Sequence, residues 1–150
     1  MYSVKTPVAG RIIKQENLGD YAFSSGAMGP CVGIAPTSER VVAPFDGVVK
    51  TIFPTKHALV VISDDGVQLL IHIGIDTVKL DGKGFKSKVN DGDTVKTGQL
   101  LVEFSTKKIE KAGYSTETPV IVINHKDYKS IEFTTKTEVA EGDEIIFIEK

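Results

Sequence analysis

Short runs of β-branched and aliphatic residues, each bounded by Gly, Asp, Asn or Pro, dominate this sequence. They are RIIK, CVGIA, GVVKTIF, ALVVI, VQLLIHI, QLLVEF, PVIVI and EIIFIEK. Runs of this length between turn-forming residues are typical of β-strands. Helical spacing occurs only over residues 105–113, STKKIEKAG, where Gly113 would end the helix. The sequence therefore predicts an all-β fold with at most one or two short helices.

Two pairs of segments repeat each other within the chain. VNDGDTV at 89–95 resembles VAEGDEI at 139–145, and TPVAGRIIK at 6–14 resembles APFDGVVK at 43–50. Each segment places a Gly where a tight turn meets a strand. The two pairs have different offsets, which excludes a solenoid of fixed period. We expect a single domain over residues 1–150, an antiparallel β-sandwich or barrel-like structure with internally duplicated β motifs.

Charge and the N-terminus exclude several classes of protein. The 18 basic and 20 acidic residues nearly balance, so the chain has no broad basic field for nucleic acid. MYSVKTPVAG lacks the pattern of a signal peptide, and no apolar run reaches the length of a membrane span, so we expect no insertion into a membrane. The lone cysteine, Cys31, excludes an internal disulfide. We therefore expect a soluble cytoplasmic protein.

Two of the three histidines bracket a hairpin, HALVVISDDGVQLLIHIGID at 57–76. A two-residue loop of Asp64 and Asp65 would place His57 directly opposite His72, with Cβ atoms about 5 Å apart. If the loop moved along by one residue, the two histidines would be diagonal neighbours about 7–8 Å apart. A three-residue loop would instead pair His57 with Ile73 and turn the rings to opposite faces. The predicted contact therefore depends on the length of the turn.

Two imidazoles that meet on one apolar face would repel each other if both were charged, which favours a neutral state of at least one. A neutral imidazole whose first nitrogen donates its proton to a carbonyl offers the lone pair of its second nitrogen, as a nucleophile or a metal ligand. Gly74 leaves space above the His72 ring for a phosphoryl group, and the Thr55 hydroxyl could orient His57. His125, in the polar segment NHKDYK, is interpreted as an ordinary surface residue.

The segment LLIHIGIDTVKLDGKGF resembles the signature of the glucose-type enzyme IIA domain of the bacterial phosphoenolpyruvate-dependent sugar phosphotransferase system. Residues 41–104 follow the family pattern nearly continuously, and PVAGRII, DYAF, TPVIVIN and VAEGDEI extend it. The resemblance implies a β-sandwich with a shallow active depression and a phosphoryl relay without a cofactor. It makes His72 the phosphoryl acceptor, His57 the second, unphosphorylated histidine and Thr55 its support.

The resemblance also implies partners. The phosphocarrier protein HPr would donate the phosphoryl group to His72, and a cysteine of the IIB domain of a sugar permease would receive it, with further regulatory protein targets. The residues expected to bind partners are Phe53, Leu70, Val32, Asp76 and Gly74. The family's second acidic residue is expected in a GDG segment, where this chain has Pro30. Cys31, beside it, is expected to be structural.

Two other classes of protein compete with this interpretation. The H-x-x-x-D spacing of His72 and Asp76, with His57 as a third ligand, would suit a zinc-dependent β-rich hydrolase or a metal site shared with a partner. Such hydrolases also need an H-x-H element, which this sequence lacks, and we predict no metal ligands. A lipoyl- or biotinyl-type carrier would need a modifiable lysine at a hairpin tip, and no such motif is present.

Overall fold

The computed structural model describes residues 2–150. Its strands are β1 Tyr2–Lys5, β2 Gly10–Ile13, β3 Cys31–Pro36, β4 Arg40–Val42, β5 Gly47–Ile52, β6 Ala58–Ser63, β7 Gln68–His72, β8 Phe85–Ser87, β9 Thr94–Val95, β10 Leu100–Phe104, β11 Thr118–Val122, β12 Ser130–Phe133, β13 Glu138–Val139 and β14 Glu144–Glu149. The helices are α1 Tyr21–Ser24 and α2 Thr106–Lys111, and short 3-10 turns lie at Gln15–Asn17, Thr77–Leu80 and His125–Asp127. The predicted all-β fold with short helices is confirmed.

Three antiparallel sheets surround one large apolar core. The main sheet has the order β13-β2-β3-β11-β7-β6-β5-β9, and the two smaller sheets have the orders β1-β14-β12 and β4-β10-β8. Side chains from all three sheets meet in the larger core, among them Leu59, Ile71, Leu101 and Ile146. The main sheet is open and not a closed barrel, because β13 and β9 remain its edges in the part of the chain that the structure describes.

The repeated segments adopt matching structures at the two edges of the main sheet. Gly10 of β2 pairs with β13, and Gly47 of β5 pairs with β9. In the turn before β14, the Asp143 carboxylate accepts a hydrogen bond from the Ala140 amide at 2.9 Å. In the turn before β9, Asp93 accepts one from Asn90 at 2.8 Å. The sequence repeats therefore correspond to a repeated strand and turn.

The turn between β6 and β7 has three residues, so both two-residue registers considered for the hairpin are wrong. The Ser63 amide donates to the Val67 carbonyl at 2.9 Å, and the Gly66 amide donates to the Ser63 carbonyl at 2.9 Å. Gly66 has a φ of +97°, the left-handed conformation that closes a three-residue turn of this type. As a result Ala58, and not His57, lies opposite His72.

A smaller apolar cluster covers the other face of β6 and β7. It contains Cys31, Val60 and Leu70 from the sheet, together with Leu18 and Phe23. Phe23 comes from α1, and Asp20 caps the start of this helix by accepting a hydrogen bond from the Ala22 amide at 2.9 Å. This helix was not located from the sequence. It lies on the face of the sheet toward which the His72 side chain points.

The second helix, α2, forms within the predicted range of residues 105–113. Ser105 caps its start by accepting a hydrogen bond from the Lys108 amide at 3.2 Å. After its last turn Gly113 has a φ of +90°, and its amide donates to the Glu110 carbonyl at 2.9 Å. No helix among residues 2–150 is both long and apolar enough to cross a membrane.

Candidate functional site

His72 is the last residue of β7, and its ring is fixed by the loop that follows. Its Nδ1 lies 2.7 Å from the Gly74 carbonyl oxygen. A carbonyl oxygen can only accept a hydrogen bond, so Nδ1 carries the proton and donates it. When the ring is neutral, the lone pair is therefore on Nε2. The residue is half-buried, and its ring lies 5.0 Å from the Phe23 ring, measured between centroids.

His57 lies just before β6, in the bend that connects it to β5. Its Nδ1 is 2.5 Å from Thr55 Oγ1. Thr55 is a turn residue between β5 and β6, so its contact with His57 does not come from alternation along a strand. A hydroxyl can donate or accept, so this contact is compatible with either tautomer of His57. The side chain is almost fully buried, with 3% of its surface exposed.

The rings of His57 and His72 meet edge to face, with centroids 4.9 Å apart and an angle of 83° between their planes. The Phe53 ring packs edge-on against His57 from the other side, at 5.6 Å. The two imidazoles therefore meet even though the three-residue turn pairs His57 with the position of Ile73. The backbone confirms that pairing, because the Ile73 amide donates to the His57 carbonyl at 2.7 Å.

Burial favours the neutral form of both histidines. Loss of solvent, and to a smaller extent the neighbouring His72, lowers the pKa of His57 to about 4. Burial also lowers the pKa of His72, while the Gly74 carbonyl and the carboxylates of Asp20 and Asp76 act in the opposite direction. At neutral pH the site therefore presents a neutral His72 with a free lone pair on Nε2.

Three residues hold the backbone that follows His72. Gly74 has a φ of +83°, and a Cβ added there would lie 2.4 Å from Thr77 Cγ2 and 2.8 Å from the Ser115 carbonyl oxygen. The fully buried Thr77 donates its hydroxyl proton to the Ile73 carbonyl at 2.5 Å. The Ser115 carbonyl accepts from the Ile75 amide at 3.0 Å. Sequence reasoning missed Thr77 and Ser115, which support the Gly74 carbonyl.

Two carboxylates lie near the acceptor ring. Asp76 was predicted there, and it is exposed with a left-handed backbone at a φ of +60°. Asp20 was not predicted, yet its charge raises the pKa of His72 as that of Asp76 does. A second carboxylate therefore lies near the acceptor ring, although Pro30 occupies the position where the second acidic residue was expected. The clue in the sequence was the aspartate at the start of DYAF.

The residues predicted to bind partners divide into exposed and buried ones. Phe53 is 36% exposed beside His57. Leu70 is 6% exposed within the smaller cluster, and Val32 is 3% exposed within the larger core, on the opposite face of the sheet from His72. These two side chains expose little surface to a partner, and their role in docking stays a prediction.

More exposed apolar side chains lie in the segments that border the histidines. Tyr21 is 82% exposed and Val78 is 50% exposed. Tyr21 precedes Phe23 in α1, and Val78 follows Asp76. We call Tyr21, Phe53 and Val78 the apolar rim.

The two other residues discussed from the sequence are fully or partly buried. Cys31 is buried, its Sγ contacts the Phe23 carbonyl oxygen at 3.5 Å, and burial raises the pKa of its thiol to about 11. His125 is half-buried rather than an ordinary surface residue, and its Nδ1 has no hydrogen-bond partner within residues 2–150. In the part of the chain that the structure describes, neither side chain is hydrogen-bonded to His57 or His72.

The zinc interpretation lacks a third ligand. Over residues 2–150 no group of three or more His, Cys, Asp or Glu side chains is arranged to hold a metal ion. His57 and His72 are brought together, but a tetrahedral zinc site needs three or four protein ligands. Residues 2–150 alone therefore do not build the hydrolase centre that was considered as an alternative.

Comparison with known proteins identifies one family. Residues 2–128 match the family model described as phosphoenolpyruvate-dependent sugar phosphotransferase system, EIIA 1. The chain is 44% identical over 143 residues to a β-glucoside-specific EIIBCA component of Halalkalibacterium halodurans, covering 95% of this chain and 22% of that protein. It is 40% identical over 141 residues to a glucose-specific EIIA component of Oceanobacillus iheyensis, covering 94% of this chain and 86% of that protein.

A solved structure matches the fold as well. The glucose permease IIA from Mycoplasma capricolum superposes with a TM-score of 0.88 at 35% identity, covering 97% of this chain and 94% of that one. The chain spans about a fifth of the length of the curated relatives with several fused components. It spans most of the length of the EIIA relatives.

Proposed function

Because this chain belongs to the EIIA 1 family of the phosphoenolpyruvate-dependent sugar phosphotransferase system, we propose that His72 carries its phosphoryl group. The phosphoryl group comes from phospho-HPr: the bond between phosphorus and the HPr histidine breaks as Nε2 of His72 forms the new one. A cysteine of the IIB domain of a sugar permease then takes it. The Nδ1 contact of His72 with the Gly74 carbonyl carries this proposal, because it leaves Nε2 free to attack.

His57 acts on the transferred group and does not bind it covalently. If the Thr55 hydroxyl donates to Nδ1 of His57, the proton of His57 is on Nε2. That proton is then available to the phosphoryl oxygens above His72, whose ring is 4.9 Å away. Placing a donor where charge develops stabilises the transition state of in-line transfer, in which positioning and electrostatics supply most of the catalysis.

The surface around the histidines serves both partners in turn. The apolar rim offers contact area at the edge of the site, while Asp20 and Asp76 offer negative charge next to the acceptor. Charge of this kind attracts a partner with a basic surface and mainly raises the rate of association. The single IIA domain works in the cytoplasm, needs no cofactor, and serves a permease for glucose or a β-glucoside, the two classes named for its relatives.

Phosphorylation by purified components tests the proposal. Incubation with radiolabelled phosphoenolpyruvate, enzyme I and HPr is expected to give an acid-labile, alkali-stable phosphate on this chain, and omission of HPr removes it. Phosphorus NMR is expected to report substitution at Nε2. His125→Gln serves as the matched control and keeps the label. Label on another residue, or substitution at Nδ1, would contradict the proposal.

A further inference from the structure

The contact between the two imidazoles is not a product of strand alternation. Ala58 lies opposite His72, so both of those side chains point toward the smaller cluster. In a regular strand His57 would share the face of Leu59 and point into the larger core. Its ring instead lies against His72. A local departure from strand geometry must therefore turn this side chain.

The departure is in the bend from Phe53 to His57. The Lys56 amide donates to the Phe53 carbonyl at 2.7 Å, and the Phe53 amide donates to the Ala58 carbonyl at 3.0 Å. The turn closes at Lys56 and strand pairing begins at Ala58, so His57 is an additional residue between the two and is not part of the regular pairing. Lys56 has a φ of +61°, a left-handed conformation that side chains with a Cβ rarely adopt.

The opposite end of β6 offers a direct comparison. There the Gly66 amide donates to the Ser63 carbonyl, and Gly66 takes the left-handed conformation with a φ of +97°. Both turns have a left-handed residue whose amide donates to the carbonyl three residues earlier, and this residue is glycine at the end remote from the histidines and lysine at the end that bears His57. Residues held in sparsely populated conformations concentrate at functional sites.

We propose that the left-handed backbone of Lys56, and not its ammonium group, is the positioning element that brings His57 to His72. Rotation of the chain at Lys56 turns the following residue away from the larger core. It also brings Thr55 Oγ1 within 2.5 Å of Nδ1 of the same ring. The consequence for phosphoryl transfer rests on the proposed function, whereas the consequence for ring geometry does not.

Backbone-selective substitutions at Lys56 test this inference. Lys56→Gly and Lys56→Asn remove the charge but accept a left-handed conformation, whereas Lys56→Val resists it. In Lys56→Val we expect loss of the NMR cross-peaks between the two rings and a return of the His57 pKa toward 6.5. We also expect kcat for transfer to the IIB domain to fall about tenfold or more, with an unchanged KM for that partner. Lys56→Gly and Lys56→Asn keep all three properties.

Gly66→Val is the matched control, because it puts the same residue at the left-handed position of the other turn, where an added Cβ meets nothing within 4 Å. It lowers the melting temperature and leaves the ring contact intact. Unchanged ring cross-peaks in Lys56→Val would overturn the inference, as would their loss in Lys56→Asn. If the wild-type protein takes no phosphate from HPr, the proposed function fails, while the cross-peaks still decide the role of Lys56.

Discussion

The two histidines of the site are fixed in similar ways, but by oxygens of different chemistry. Each ring has its Nδ1 bound to an oxygen of a residue two positions away: Gly74 O for His72 and Thr55 Oγ1 for His57. The carbonyl can only accept, so it keeps the proton of His72 on Nδ1, whereas the hydroxyl can also donate. A pair of identical side chains can therefore divide into a nucleophile and a hydrogen-bond donor through one neighbouring oxygen each.

The largest expected effect comes from removing the imidazole ring of His72, which the Gly74 carbonyl holds. His72→Ala and His72→Gln should abolish phosphorylation by phospho-HPr, because no other side chain presents Nε2 at this position. Radiolabel incorporation in the reconstituted system measures the loss, which we expect to exceed about 10⁴-fold. Residual labelling of the variant at His57 would show that the two rings are interchangeable and would remove the proposed division of roles.

Removing the imidazole ring of His57, which the Thr55 hydroxyl holds, should slow transfer of the phosphoryl group to the IIB domain without preventing its acceptance from HPr. His57→Gln is expected still to accept a phosphoryl group on His72, but to pass it to the IIB domain about 10²–10³-fold more slowly, the usual effect of losing one transition-state donor. Single-turnover measurement of each half-reaction shows the separation. Equal losses in both half-reactions would place His57 in general support of the fold instead.

The difference between the segments that hold His72 and His57 also explains how much of the fold and of the site could be predicted from the sequence. The aliphatic runs between turn residues predict the strands well, because burial of apolar side chains determines where they lie. His72 ends such a run, so its place at the end of a strand could be predicted. His57 lies in a bend, whose geometry the sequence does not specify. The segment SDDG is compatible with two- and three-residue turns. The way in which the two rings come into contact could therefore not be predicted.

Other elements escaped prediction for related reasons. The helix α1 has four residues, too few to show helical periodicity, and therefore Asp20 and Phe23 were not placed near His72. The first four residues of β3 are all buried, so no alternation of polar and apolar residues tells which face Val32 occupies. Long-range packing across the sheet, and not local pattern, decides these positions.

The stability of the protein should be more sensitive to substitution at Gly74, whose carbonyl holds His72, than at Gly66 in the open turn between β6 and β7. Gly74→Ala combines the strain of a left-handed alanine with contacts to Thr77 and Ser115, whereas Gly66→Ala has the strain alone. The strain costs about 1–2 kcal/mol, and the contacts add about 1–3 kcal/mol. Urea unfolding of the two variants measures the difference. Equal free energies of unfolding would mean that the loop after His72 yields freely.

A smaller effect is expected from the hydroxyl of Thr55. Thr55→Val keeps the shape of the side chain and removes the hydrogen bond to Nδ1 of His57, which is worth about 1 kcal/mol, or roughly a fivefold change in rate. Transfer to the IIB domain should slow by that factor, and Thr55→Ser should restore it. A full loss in Thr55→Ser as well would show that the methyl group, through packing, positions the ring.

The change in the free energy of unfolding with pH should contain a contribution from each of the two histidines. The pKa of His57 is lowered to about 4 in the folded protein from an ordinary value of 6.5, so between these values the unfolded chain binds more protons. The free energy of unfolding should therefore rise with pH across this window and level off above it. His72, whose pKa is also lowered, contributes with the same sign, so His57→Gln should reduce the slope without abolishing it. Urea unfolding at pH 4.5, 5.5 and 7 measures both slopes, and an unchanged slope in His57→Gln would show that His57 is not held neutral by its burial.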